Sequence, residues 1–352
     1  MRPLTILGVA YPFAPVSPDA VGGAEQVLAR LDAALVAAGH RSVVVARTGS
    51  RVAGTLVAVP AEEGAIDDEV RARGHARHRA AIATALRDHP VDLIHLHGID
   101  FSEYLPPPGA PVLATLHLPP SWYPPDALHP RRPGTWLHGV SAAQARACPP
   151  DPALLPPIPN GVPVEALGRA RHARRGFALA LGRICPEKGL HHALAAAHRG
   201  GFPLLIGGQA YDYPAHQAYF RDEIAPRLDR HRRFLGPLDF ARKRRLLTAA
   251  RCLIVPSLAP ETSSLVAMEA MACGTPVVAF PSGALPEIVE PGRTGFLVED
   301  EAGIAEAVAA AASLDPQACR DAARDRFSDT RMASAYLARY REILAGIPDR
   351  RG

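Results

Sequence analysis

The sequence has 352 residues, with 39 Lys and Arg against 35 Asp and Glu, a formal net charge of +4, and five cysteines. That length makes two domains the natural expectation, and so mild a charge calls for no nucleic acid while leaving room for an anionic ligand. Cys148, Cys185, Cys252, Cys273 and Cys319 are scattered, odd in number and never in a Cys-x-x-Cys pair, which argues against a disulfide framework or a structural zinc site and fits a reducing cytoplasm. Leu4–Ala10 is too short for a signal-peptide core, and no apolar run reaches the roughly 20 residues that span a bilayer.

From the start, apolar strand-like runs alternate with amphipathic helical ones. LTILGVA (4–10), a helix from about Ala24 to Ala38 and SVVVA (42–46) make a βαβ unit. LVAV (56–59), DLIHLH (92–97), VLATLH (112–117) and WLHGV (136–140) extend it to a Rossmann-like domain over residues 1–165. VGGAEQV (21–27) sets Gly22 and Gly23 at the mouth of the first helix, where the missing Cβ atoms let a ligand approach the backbone. The stretch lacks G-x-G-x-x-G, which disfavours a nicotinamide oxidoreductase. His95 and His97 alternate along a strand and share a face, but no third ligand has comparable spacing, and no metal is expected. His117 ends the next apolar strand, a position from which a side chain is delivered to a ligand.

CPPDPALLPPIPNGVP (148–163) holds seven prolines and leads into a basic, poorly periodic stretch up to Arg175, the composition of an interdomain connection. A second alternation follows: FALALGR (177–183), FPLLIGG (202–208), RRFLGPL (232–238), CLIVPS (252–257), PVVAF (276–280) and GFLV (295–298). The expected fold is α/β, two doubly wound Rossmann-like domains facing across a cleft. The second covers 166–329, and a helix over about 330–348 returns to the first. Ligands of such sheets sit beyond the carboxyl ends of strands, where His117, Gly182 and Glu261 fall.

Cys252–Pro276 reads as strand, loop and helix. Thr262, Ser263 and Ser264 are residue types that cap helix starts, and Leu265, Val266, Met268 and Met271 then recur at helical spacing until Gly274. Glu261 and Glu269 have seven residues between them and would not share a face of one continuous helix, so Glu261 belongs to the loop before it. There it faces the helix mouth, where free amides around 264–266 favour a phosphate. In LGRICPEKG (181–189), Arg183 and Lys188 bracket a turn beside another helix entry, two cations suited to a diphosphate. The basic runs Arg71–Arg79 and Arg242–Arg245 lack interleaved aromatics, which argues against nucleic acid. The first has the composition to touch an anionic membrane, and both are read as solvated faces.

PSLAPETSSLVAMEAMACGTPVVAF, GALPEIV and GRTGFLV resemble the carboxyl-terminal signature of the family-four retaining glycosyltransferases, glycosyltransferases group 1, which have the GT-B fold. LGRICPEKG, GGAE, TLH (115–117), VSAA (140–143) and NGVPVE (160–165) match the pattern in order. The resemblance implies that Gly182, Arg183 and Lys188 meet the donor diphosphate, and that the backbone near Ser263, Ser264 and Leu265 holds its distal phosphate. It gives Glu269 the ribose hydroxyls and Glu261 the transferred sugar. Leu235–Leu238 would lie along the base, Gly22 and Gly23 would close over donor and acceptor, and His117 would touch the sugar near the reacting carbon. Two departures stand out: Thr262-Ser263-Ser264 where relatives usually have Pro-Phe-Gly, and Pro163 where they usually have aspartate.

The implied activity is that of a hexosyltransferase-type enzyme, carrying a sugar from a nucleoside-diphosphate sugar, by default a UDP-sugar, to an acceptor hydroxyl with retention. Arg183, Lys188, His117 and Glu261 are its catalytic candidates, and it needs neither cofactor nor metal. A nucleotide-sugar epimerase, a glycan phosphorylase and a non-catalytic nucleotide-sugar binder are the competing readings. GDP and ADP donors, the sugar, the acceptor and the oligomeric state are left open.

Overall fold

The computed structural model describes residues 2–62, 64, 66–170 and 172–346. Residues 347 and 348 of the expected C-terminal helix, and Arg171 of the basic stretch, lie outside that set. The chain divides into two compact units, one running to Asn160 and including the segment from Asp329 onward, the other Gly161–Ser328. Among the described residues no helix is long and apolar enough to cross a membrane.

The first unit is built on β1 (Thr5–Val9), β2 (Arg41–Arg47), β3 (Thr55–Val59), β4 (Leu93–Leu96), β5 (Val112–Thr115), β6 (Thr135–His138) and β7 (Leu154–Leu155), with helices α1 (Gly23–Ala37), α2 (Asp68–Asp88) and α3 (Ala142–Ala147). The strands form one parallel sheet in the order β3-β2-β1-β4-β5-β6-β7. Every residue of β1, β4 and β5 is buried, as a parallel sheet covered on both faces requires. Strand β7 was not expected inside the proline-rich stretch. Residues 153–155 are free of proline, so an edge strand forms there, and the flanking prolines keep it short.

The second unit contains α4 (Val164–Gly168), β8 (Ala178–Leu181), α5 (Leu190–Arg199), β9 (Leu204–Gly207), α6 (Pro214–Tyr219), β10 (Arg232–Phe234) and α7 (Phe240–Ala249). It continues through β11 (Leu253–Val255), α8 (Leu265–Ala272), β12 (Val277–Ala279), α9 (Leu285–Ile288), β13 (Gly295–Leu297), α10 (Glu301–Ala310) and α11 (Pro316–Phe327). Its parallel sheet has the order β10-β9-β8-β11-β12-β13, the doubly wound Rossmann order when its strands are counted from β8. Alternate strand residues feed two cores. Leu179, Leu253 and Val277 pack with Met268 and Met271 on one face, and Ala178, Ile254 and Val278 pack with Leu190, Leu194 and Ile304 on the other. After Ser328 the chain rejoins the first unit as α12 (Asp329–Leu344), which lays Tyr336 and Tyr340 against His95.

Candidate active site

In the second sheet the strand order reverses between β8 and β11, and ligands of doubly wound sheets bind beyond the carboxyl ends at such a switch point. Both strands run out into the segments that carry the candidate residues. From β8 come Gly182, Arg183 and Lys188; from β11 come Ser257 and Glu261. Lys188 Nζ donates to Glu261 Oε1 at 2.6 Å, and the Ser257 hydroxyl donates to the same oxygen. Burial alone would push the Glu261 carboxyl up. The charge of Lys188, the hydrogen bonds from Lys188 and Ser257, and the charge of Arg183 together bring it below the ordinary carboxylate value.

Two glycines make this meeting possible. Gly283 has φ of +61°, and a Cβ on it would fall 2.2 Å from the Glu261 carbonyl oxygen; the next amide, Ala284, donates to that same carbonyl at 2.7 Å. Gly189 has φ of +59°, and a Cβ there would sit 2.1 Å from the Pro256 carbonyl oxygen. The turn after β8 and the loop after β11 therefore touch through backbone. Gly182 donates to the Gly207 carbonyl at 3.1 Å, and Leu235 to the Ile206 carbonyl at 2.8 Å. Leu238 closes on Gly207, where a Cβ would lie 2.5 Å from its Cδ1. Gly182, Leu235 and Leu238 thus line the carboxyl ends of β8, β9 and β10.

Glu261 lies in the loop, and Glu269 lies inside α8, as their spacing requires. Glu269 is 1% exposed and accepts from Lys243 Nζ at 2.7 Å. Lys243 belongs to the run Arg242–Arg245 on α7, so that run is not a purely solvated face. Sequence reasoning missed Lys243; the available signal was the amphipathic register of α7, in which Lys243 shares a face with Leu246 and Leu247.

At the mouth of α8 the structure corrects the capping expectation. Ser264 occupies the N-cap position but makes no side-chain cap bond. Ser263 and Ser264 are 9% and 3% exposed, and both hydroxyls are buried without a hydrogen-bond partner. A buried hydroxyl left unmade costs roughly 1–3 kcal/mol. The first-turn amides of Leu265 and Val266 also have no carbonyl one turn earlier to bind, so two unpartnered hydroxyls stand beside a positive helix end.

In the first unit, Gly22 is the N-cap of α1 and Gly23 its first residue. The space a side chain would take at Gly22 is filled by the carboxylate of Glu25, 1.9 Å from an added Cβ. His117 follows β5; its Nε2 meets His97 Nδ1 at 3.0 Å, and burial lowers its pKa to about 3. A neutral imidazole there is a hydrogen-bonding group rather than a charge. His97 and His95 do share a face, with ring centroids 4.0 Å apart, and His95 is committed to a chain. His138 Nδ1 donates to the Gly139 carbonyl at 2.9 Å, so its Nε2 accepts from Thr115 Oγ1 at 2.7 Å. Thr115 then accepts from His95 Nε2 at 2.7 Å, and His95 Nδ1 accepts from the Tyr340 hydroxyl at 2.7 Å. His138, Tyr336 and Tyr340 carry no sequence signal for this, because β6 and α12 reach Thr115 of β5 and His95 of β4 only in the fold.

Two family models match the chain: "Glycosyltransferase Family 4" over residues 21–149 and "Glycosyl transferases group 1" over residues 176–313. Over 229 residues the chain is 34% identical to the alpha-maltose-1-phosphate synthase of Mycobacterium tuberculosis H37Rv, covering 55% of this chain and 58% of that protein. The chain thus spans a little over half the length of the first curated relatives it matches. With the glycogen synthase of the same organism it is 29% identical over 391 residues, covering 91% of this chain and 89% of that one. Among solved structures it is similar to AviGT4, a glycosyltransferase involved in avilamycin A biosynthesis, with a TM-score of 0.74 and 27% identity over 98% of this chain and 99% of that one. With both halves matched in order and this fold matched along nearly its whole length, the chain belongs to the group 1, family 4 glycosyltransferases of GT-B fold.

Proposed function

We propose that the chain transfers a hexosyl group from a nucleoside-diphosphate sugar, with UDP as the nucleotide, to an acceptor hydroxyl with retention at the anomeric carbon. The observation that carries this reading is the mouth of α8, where the buried, unpartnered hydroxyls of Ser263 and Ser264 stand in the same loop as Glu261, the partner of Lys188. Unmade donors at a positive helix end suit an anion rich in acceptors, and a diphosphate supplies one. Arg183 and Lys188 take the diphosphate, with Gly182 giving the backbone room to reach it. Ser263, Ser264 and the amide of Leu265 take the distal phosphate. Glu269 receives the ribose hydroxyls, Leu235 and Leu238 flank the base, and Glu261 orients the transferred sugar. On the first unit, Gly22, Gly23 and His117 are assigned to acceptor and sugar.

The demanding event is departure of the nucleoside diphosphate. As the anomeric C–O bond breaks, negative charge grows on the phosphate oxygens and positive charge on the sugar. In this reading the charges of Arg183 and Lys188 and the α8 N-terminus stabilise that change, the kind of electrostatic term that is commonly the largest contribution to catalysis. The leaving phosphate oxygen takes the proton of the acceptor hydroxyl as the new C–O bond forms on the same face, so the step requires no enzymic nucleophile and no metal.

A thermal-shift comparison of UDP, GDP and ADP tests the reading. A ligand at 100 times its dissociation constant adds about 2.7 kcal/mol to native stability, so the cognate nucleotide should raise the midpoint, and Lys188→Ala should abolish the rise. If none of the three nucleotides raises the midpoint, the donor assignment fails. A rise with GDP or ADP alone would replace UDP.

A further inference from the structure

The turn that carries Arg183 and Lys188 holds a second constellation that sugar transfer does not use. Cys185, Glu187 and His216 each bring one ligand atom, and the three atoms lie within 4.8 Å of one another. Cys185 is fully buried. Glu187 is anchored by its own carbonyl, which accepts from the amides of Leu258 at 2.9 Å and Ala259 at 3.2 Å. His216 stands in α6, and its Nδ1 is buried without a hydrogen-bond partner. Thiol, carboxylate and imidazole together are the donor set of a borderline-soft divalent ion; magnesium and calcium select oxygen alone. Tetrahedral zinc, with bonds of about 2.0–2.3 Å, sets its ligand atoms roughly 3.3–3.8 Å apart, so the three need draw together by only about 1 Å.

We propose that Cys185, Glu187 and His216 form a zinc(II) site that ties α6 to the turn between β8 and α5. As the sulfur–zinc bond forms, the Cys185 proton passes to solvent, and the thiolate and carboxylate balance the charge of the ion. The ion takes no part in the transfer step. It fixes the backbone from which Arg183 and Lys188 project. Neither the lone cysteine nor the long gap between Glu187 and His216 has the spacing of a zinc motif, and only the packing of α6 beside the turn unites them.

Cobalt(II) added to the chelator-treated full chain is the test. One equivalent should produce a thiolate-to-cobalt charge-transfer absorption in the near ultraviolet that zinc displaces, and zinc should raise the thermal midpoint. Cys185→Ser should remove both effects, and His216→Asn should weaken cobalt binding by more than about tenfold. No such absorption, or an absorption that survives in Cys185→Ser, would overturn the site, since the sulfur would then belong to another cysteine. Should Cys185→Ser fail to fold, His216→Asn decides alone, because His216 is half-exposed; unchanged cobalt affinity there overturns the proposal equally.

Discussion

Lys188 and Glu261 are 27% and 11% exposed and 2.6 Å apart, which makes Lys188→Ala a change with two separable effects. It removes a cation from the leaving diphosphate, and loss of one preorganised donor costs roughly 10²–10³ in turnover. It also leaves a carboxylate without its lysine, which should lower stability and raise the Glu261 pKa. Adding Glu261→Gln should restore the stability and leave turnover low. Initial rates at saturating donor, read beside urea midpoints, check both, and turnover unchanged in Lys188→Ala would remove the lysine from the mechanism. Ser263→Ala and Ser264→Ala should behave the opposite way. Neither hydroxyl has a partner to lose, so stability should hold or rise, while nucleoside-diphosphate affinity falls by about 1.5–3 kcal/mol for each charge-assisted bond. Calorimetric titration with UDP gives the comparison. These residues were legible because their types and spacings are local: two glutamates too far apart for one helix face, and serines before an apolar run. Lys243 was legible only through the register of α7, since within Arg242–Arg245 it otherwise reads as one more solvated cation until α7 packs beside α8.

Among the elements, the parallel strands were readable because buried strands are short apolar runs with breakers at their ends, and β8, β11 and β12 fall within the runs that announced them. Strand β7 was hidden by its prolines, and the order of strands, which puts β8 beside β11, is a property of the sheet that no local run contains. That order gives Gly283 its importance. It stands between β12 and α9, with φ of +61° and its Cα against the backbone of Glu261. Gly283→Ala should cost more than about 1 kcal/mol from the left-handed backbone alone, and relief of the backbone clash would move Glu261. We expect a modest loss of stability with a disproportionate loss of turnover. If turnover falls no further than the folded fraction, Gly283 is a fold residue only.

For the molecule as a whole, the two units should respond differently to acid. The chain Tyr340, His95, Thr115, His138, Gly139 is satisfied only with both imidazoles neutral; a proton on His95 or His138 deletes an acceptor. Burial accordingly lowers the pKa of His138 to about 3 and those of His95 and His97 well below the ordinary value. A folded-state pKa below the unfolded value of about 6.5 gives stability that is fully present above pH 6.5 and is lost as pH falls toward the folded value, on the order of 2 kcal/mol per histidine by pH 5. In the second unit, His191 and His216 are also lowered, but neither is among its buried residues. Its Glu261 carboxyl, held below the ordinary value, gives up stability only in the carboxylate range. Trp122 and Trp136, the chain's two tryptophans, both belong to the first unit, so tryptophan fluorescence reports that unit while far-ultraviolet circular dichroism reports both. Between pH 7 and pH 5 the fluorescence midpoint in urea should fall further than the circular dichroism midpoint, because loss of the first unit removes only part of the helix and strand signal. His138→Gln, which keeps an amide donor for Gly139 and an oxygen acceptor for Thr115, should shrink that separation. Coincident transitions at pH 5 would mean that the histidine chain sets no local acid limit.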